Sequence, residues 1–262
     1  MIRELAENPN VHQRLSPGRE LYTDSEGRFA LYFGAGTGPH SATVQRVRLG
    51  DGDIESAVAE IRALVHSRGR GGAEWELGES CTPTDLIAQL AALGIVADED
   101  EPVAIGMVLA ADTEVPAAPP QVTARRIDSV AELVIARGVQ NLAFGDGTAD
   151  EVDFTVAEAD FTAEGEVGST FLAFIEGEPV AAGYAAYTDL GLMLFGGATL
   201  PAARGRGAYR ALVAARALEA RERGTPALVT HAGKMSRPIL ERIGFTPVAR
   251  IDRLLDVFSS AS

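Results

Sequence analysis

The residues best suited to chemistry cluster between positions 192 and 245. An apolar run, Leu192-Met193-Leu194-Phe195-Gly196-Gly197-Ala198-Thr199-Leu200, stops at Pro201 and is followed by Arg204-Gly205-Arg206-Gly207-Ala208-Tyr209. A helical pattern begins directly after. A strand that feeds a glycine-rich turn, which in turn opens a helix, is built to hold phosphate. The glycines let backbone N–H groups approach an anion, and the first helical turn adds unpaired donors and the positive end of its dipole. Two guanidinium groups in the same turn can pair with phosphate oxygens. Other phosphate motifs are missing from the sequence: there is no Gly-Lys-Ser/Thr and no complete Gly-x-Gly-x-x-Gly. Downstream, Ala227-Leu228-Val229-Thr230 reads as a short strand, and a helix after it stops at Gly244-Phe245. His231 ends that strand and suits proton transfer near neutrality, although a strand-end histidine also serves packing. Asp189, just ahead of the apolar run, is the second candidate for moving a proton.

This stretch resembles the acyl-CoA-binding core of the GNAT superfamily of N-acetyltransferases, in which a loop Arg/Gln-x-x-Gly-x-Gly/Ala joins the fourth strand to the third helix. Arg204 and Gly207 fit its first four positions, with Gly205 and Arg206 between them; Tyr209 stands where Gly or Ala is usual. The second signature of the family is an Ala, then Ser or Asn, then Leu-Tyr-x-x-x-Gly-Phe. It is matched by Ala232, Ser236 and Ile239-Leu240-Glu241-Arg242-Ile243-Gly244-Phe245. The resemblance is good over about residues 122–258 and weak before them. It implies an α/β fold, a mixed and mostly antiparallel sheet flanked by helices, with acetyl-CoA as cofactor. The loop Arg204, Gly205, Arg206, Gly207, Ala208, Tyr209 would take the pyrophosphate. The backbone of Ala198, Thr199 and Leu200 would pair with the pantetheine arm and polarise the thioester carbonyl, and Ser236 and Ile239 would lie near the sulfur.

Two departures bear on the chemistry. Leu240 takes the place of a tyrosine that in many members protonates the departing thiolate, and Leu190 to Leu200 lacks the glutamate that many members use as base. His231 and Asp189 are left as candidate catalytic groups, with Tyr184, Tyr187 and Asp146 as further substrate contacts. The implied reaction is direct transfer of an acetyl group to a primary amine of a small molecule or peptide. A non-catalytic acyl-CoA sensor and a purely structural protein with a filled cleft are the alternatives.

The bulk properties agree with a globular, cytoplasmic protein. At 262 residues and 46% hydrophobic composition the chain can bury a sizeable core and is long enough for two small units. It shows no apolar run long enough for a bilayer and no secretory leader pattern at its start. One cysteine, Cys81, excludes an intramolecular disulfide and a cysteine metal cluster, and no metal is expected. A net charge of −14 argues against nucleic acid or an anionic membrane as partner. Residues 128–203 carry 13 acids against the single base Arg137, whereas residues 204–253 carry 11 bases and 4 acids. The basic half suits CoA phosphates and the acidic half suits a cationic amine. Monomer and homodimer are both compatible with the sequence.

The elements that must position these residues fall on either side of a proline-rich break at 112–120, giving units 1–111 and 121–262. In the second unit the pattern predicts a strand Val122–Ile127 and a helix from a Ser129 cap to Ala143, with Ala131, Val134 and Ile135 inward. A helix follows over Ala149–Phe161, then a hairpin of Phe171–Ile175 and Val180–Tyr187 around Glu176-Gly177. The helix after the glycine loop runs to Arg223 with Leu212, Ala215 and Leu218 inward, and Val248–Val257 forms a last strand. That leaves the sheet one strand short of the family pattern. The first unit reads as strands Phe29–Phe33 and Val44–Leu49, helix Ile54–His66, strand Glu74–Leu77, helix Thr84–Leu93 and strand Val103–Ala110. It resembles the back half of a GNAT domain, a degenerate partner in a tandem pair that could supply the missing strand. Its loop Gly50-Asp51-Gly52-Asp53 is acidic and would repel a pyrophosphate. Trp75 and Cys81 read as core residues.

Overall fold

The computed structural model describes residues 1–36, 38–145 and 154–258. The chain opens with α1 (Ile2–Glu7) and α2 (Pro9–His12), then β1 (Glu20–Thr23), β2 (Ala30–Phe33) and β3 (Ala42–Gln45). Next come α3 (Ile54–Ser67), β4 (Gly72–Gly78), α4 (Leu86–Ala92), the short β5 (Val96–Ala97) and β6 (Val103–Ala110). Beyond the proline-rich segment lie β7 (Val122–Arg126), α5 (Val130–Phe144), α6 (Phe154–Thr162), β8 (Gly168–Ile175) and β9 (Glu178–Tyr187). β10 (Leu192–Thr199), α7 (Ala208–Glu222), β11 (Ala227–Ala232), α8 (Arg237–Ile243) and β12 (Thr246–Val257) complete the chain.

All of the strands join one sheet, in the order β1-β2-β3-β4-β12-β6-β11-β10-β9-β8-β7, with β5 on the side of β12. Each half contains a parallel pair joined by a helix: β3 with β4 across α3, and β10 with β11 across α7. Each pair is followed by a second helix and a final strand, β6 or β12. The final strands are exchanged. β6 lies beside β11 of the later half, and the far end of β12 lies beside β4 of the earlier half. The strand missing from residues 121–262 is therefore β6, and the two halves share main-chain hydrogen bonds instead of closing separately. The 12 residues of β12 make this possible, since Thr246–Asp252 pair with β6 and Ile251–Val257 with β4.

Local signals account for most boundaries. Ser129 accepts a hydrogen bond from the Glu132 amide at the start of α5, and Gly145, at φ 89°, ends it. Glu176 and Gly177 both have positive φ, the geometry of a tight hairpin between β8 and β9. Burial departs from the predicted helix faces. α5 buries Leu133, Ala136 and Val139, one position round from the expected stripe, while Ile135 is 41% exposed. α7 buries Leu212 but turns Leu218 to solvent and Arg216 inward. A row of alanines lets α7 lie flat on the sheet, so facing direction is set by close approach and not by the largest apolar side chain. The second helix of the later half is described from Phe154 to Thr162, and residues 149–153 of its predicted span lie outside the described residues. Trp75 is fully buried in the core of the first half, and burial pushes the Cys81 thiol up, so neither is placed for chemistry.

Candidate functional site

The site is built where the sheet splits. β10 and β11 pair only through Leu192–Leu194 and Leu228–Thr230, and past that point no pairing joins them. On its other side β10 breaks register with β9 between Phe195 and Ala198, where Gly196 has φ 57°. Two neighbouring strands that pair at one end and part at the other leave unpaired amides and carbonyls facing a wedge-shaped gap. Ala198 is buried, Thr199 and Leu200 are half-buried, and all three border this gap, with no partner for the buried Thr199 hydroxyl.

The glycine loop closes the wide end of the gap. Gly205 and Gly207 sit at φ 77° and 95°, a region that disfavours side chains, and Gly207 is the N-cap of α7. No side chain caps the helix. The first intrahelical bond runs from Ala211 N to Gly207 O, so the amides of Ala208, Tyr209 and Arg210 lack partners within the helix. The helix thus starts with three amides that lack partners within it, while the Arg206 amide donates to Ala203 O at 3.4 Å. Arg206 is exposed beside it. Arg204 is turned back, donating to the carbonyls of Thr199 and Ala143, both at 3.3 Å, and so ties the loop to the end of α5. Pro119 packs against Gly207, where a Cβ would come within 2.6 Å of its Cδ. In the first half the equivalent loop is filled by its own acid, since Asp53 Oδ2 lies 2.9 Å from where a Gly50 Cβ would be.

Beneath the register break lies a group that sequence reasoning missed. Arg216 of α7 is 1% exposed and has no carboxylate partner among the described residues. Its Nε donates to Leu212 O at 3.1 Å and Nη1 to Tyr184 O at 3.4 Å, while buried Nη2 has no partner. Gly183 and Gly197 make the room: Cβ atoms there would lie 3.0 Å from Nη1 and 3.6 Å from Nη2. Tyr209 packs its ring on the same Gly197, at 2.9 Å from a notional Cβ. Burial lowers the Arg216 pKa to about 10, partly opposed by Tyr209, so the guanidinium stays charged at neutral pH. The same burial raises the Tyr209 phenol. The unpartnered Thr199 hydroxyl, the unpartnered Nη2 and the glycine cradle together fit a thioester carrier lying in the gap.

The proposed catalytic residues are placed differently. His231 points to the α1 face, with Nε2 at 2.8 Å from Ala6 O and Nδ1 at 3.5 Å from Glu76. Burial lowers its pKa, but the Glu76 charge and the Ala6 carbonyl outweigh that and raise it. Glu76 is held low in turn: burial raises it, and His231, Arg253 and Gln45 more than compensate. A histidinium donating from both nitrogens has no lone pair with which to accept a proton, so the geometry makes His231 part of a buried ion pair. Asp189 is at the opposite end of β10 from the gap, 92% exposed and 3.5 Å from Arg14. Ser236 is the N-cap of α8 without a side-chain cap bond; its hydroxyl accepts from Gly233 N at 3.1 Å. Ile239 is 39% exposed, and Leu240 is buried in the core, so no phenol replaces the family tyrosine there. Tyr187 is buried under Arg223, on the α7 side, and Asp146 lies outside the described residues.

On the face of the sheet opposite α7, a polar cavity of about 310 Å³ begins at Phe195 and runs across Tyr184 and Thr170 to Glu164. Its walls come from both halves: Leu133, Arg137 and Gln140 of α5, and Gln13, Arg19 and Tyr32 of the first half. Gln140 donates to Gly196 O at 2.8 Å, fixing this wall to the register break. Arg19 and Arg137 both pair with Asp160. Glu164 accepts from Thr170 N at 2.8 Å and Thr170 Oγ at 2.6 Å, and burial raises its pKa. Burial likewise raises Tyr184, to about 12. Among the described residues, Asp160 and Glu164 are the acids between 128 and 203 that line the cavity.

Comparison with solved structures places this architecture. A GCN5-related N-acetyltransferase from Kribbella flavida superposes with a TM-score of 0.68 at 21% identity, covering 98% of this chain and 95% of that one. The fold of nearly the whole chain is thus a known one. This chain has the tandem GNAT fold. A tandem GNAT protein from the clavulanic acid biosynthesis pathway matches all of it, 100% of this chain and 89% of that one, with a TM-score of 0.60 at 17% identity. A GCN5-related N-acetyltransferase from Sphaerobacter thermophilus matches 93% of this chain and 83% of its own length, with a TM-score of 0.61 at 15% identity. No protein-family model and no curated protein matches the sequence. Within the GNAT fold, β10 and β11 are the strands that part, and the glycine loop stands at the head of the helix that follows.

Proposed function

We propose that the chain is an acetyl-CoA-dependent N-acetyltransferase that acts on a primary amine of a small molecule by direct transfer. The observation that carries this reading is the uncapped start of α7 behind Gly205 and Gly207, opening on the gap between β10 and β11. Unpaired amides and a helix dipole favour a diphosphate there, with Arg206 as counter-charge. Bound acetyl-CoA would supply an activated acyl carbon, and the residues of this chain do the rest.

The side of Ala198–Thr199 that turns away from β9, where pairing with β11 has ended, orients the carrier arm. Arg216 places a positive charge under the register break, where it favours negative charge developing on the acyl oxygen. Tyr209 supplies a phenol against Gly197. The cavity on the far side of β10 receives the acceptor. Within it Glu164, a buried carboxylate of raised pKa, takes the proton of the amine through a chain of waters, because Thr170, which it bonds, lies two strand spacings, about 10 Å, from Phe195. The small cavity favours a small molecule over a peptide. A sensor that binds acyl-CoA without turnover is the second reading, favoured by Leu240 at the usual tyrosine position.

Calorimetric titration with acetyl-CoA tests the assignment. The double variant Arg204→Ala/Arg206→Glu should bind at least tenfold more weakly than the unaltered chain. Equal affinity in the two proteins would remove the loop from the reading. Thiol release over a panel of amines separates the enzyme from the sensor, which binds tightly and releases nothing.

A further inference from the structure

The cavity walls carry a charge pattern that selects among amines. We infer that the acceptor is a zwitterion, an amine that also bears a carboxylate, held by Arg137 and Arg19 at its anionic end. This deepens the acetyltransferase reading and rests on it for the identity of the reaction, not for the binding itself.

The argument starts from an unequal count in the wall. Arg19 and Arg137 share one carboxylate: Arg19 Nη1 is 3.0 Å from Asp160 Oδ1, and Arg137 Nη2 bonds Oδ2. Their side chains are only 23% and 24% exposed, and that of Asp160 13%. Among the described residues, two largely buried cations against one anion leave an excess positive charge that water screens poorly. Arg137 uses one of its five N–H donors on Asp160. The rest form a planar fork of the kind that grips a carboxylate. Asp160 holds both arginines in place, so the fork is preorganised before any ligand arrives.

The opposite excess sits on the floor. Glu164 has no arginine within salt-bridge distance among the described residues; its two hydrogen bonds come from the neutral Thr170, and Arg126, which is not among the residues lining the cavity, acts on it only at longer range. Among the described residues the charged lining of the cavity is balanced: two arginines, one aspartate and one glutamate. A diamine would meet an uncompensated guanidinium, and a dicarboxylate would meet Glu164. A molecule with one ammonium and one carboxylate satisfies both ends. The positive pole is built jointly, Arg19 from the first half and Arg137 from the second, which gives the degenerate half a part in choosing the acceptor.

The test is direct binding to the full-length protein by calorimetry. The probes are the series from glycine to 5-aminopentanoate, each set against the plain amine and the diamine of equal length. At least one amino acid of the series should bind tenfold or more tightly than its matched amine and diamine. Arg137→Gln should erase that preference while acetyl-CoA affinity stays within twofold. Preference for the amine or diamine, absence of binding by the whole amino acid series, or survival of the preference in Arg137→Gln would each overturn the inference. Acetyl-CoA titration in the same preparation reads the acyltransferase proposal separately, because the loop at Gly205 and the wall at Arg137 are different parts of the molecule.

Discussion

Replacing Arg216 by methionine separates two explanations of a buried cation. An arginine kept for the fold should destabilise the protein when lost; one kept for a ligand should do the reverse. Burial lowers its pKa to about 10, a penalty on the charged form of roughly 3 kcal/mol at 1.36 kcal/mol per unit. Its two hydrogen bonds go to the main-chain carbonyls of Leu212 and Tyr184. The Leu212 carbonyl keeps its helical bond, and each bond to the arginine returns about 1 kcal/mol net. Methionine fills the channel of the stem and removes the charge, as in buried ionic groups replaced by apolar ones, which gain about 1–4 kcal/mol. The expected outcome is a ligand-free Tm higher by roughly 2–16 °C, at about 2–4 °C per kcal/mol for a chain of this size. Acetyl-CoA affinity should fall about tenfold or more, the worth of one charge-assisted hydrogen bond, and turnover by about a hundredfold. Thermal unfolding by circular dichroism, calorimetry and thiol release measure the three quantities. A lower Tm with unchanged acetyl-CoA affinity would refute the reasoning and make Arg216 a structural residue.

Two further outcomes follow from the titrating groups. His231→Asn should cost roughly 3 kcal/mol at pH 6 by leaving Glu76 buried with Arg253 and Gln45 alone. Because the folded pKa of His231 is raised above 6.5, its contribution is complete below that value and fades as pH climbs through the folded pKa. The Tm gap between variant and parent should therefore narrow in alkaline buffer, with acetyl-CoA affinity unchanged; a gap that widens with pH would contradict the ion pair. Glu164→Gln should remove the acidic limb of the kcat/KM profile, where the parent rate rises as a carboxylate of elevated pKa loses its proton. Persistence of that limb in the variant would assign the proton to another group.

The loop and its helix were legible in the sequence because their signals are local. Gly205, Gly207, Pro201 and the Ser129 cap act on their own few residues, and each forms the element its spacing predicts. The strand over Val103–Ala110 was equally legible as a strand. That it lies between β11 and β12 depends on pairing between residues more than a hundred positions apart, which no local pattern encodes. The candidate base failed for the same reason. His231 has an ordinary strand-end signature, and only packing brings Ala6 and Glu76 to its two nitrogens. Arg216 was hidden because an arginine in a helix is read as solvent-facing. Its burial is decided by the alanines around it and by Gly183 and Gly197 on other strands. Propensity, capping and glycine geometry thus set the elements and the glycine turn from sequence alone. Burial and charge pairing, which assign chemical roles, are sums over long-range neighbours, and only the tertiary structure fixes them.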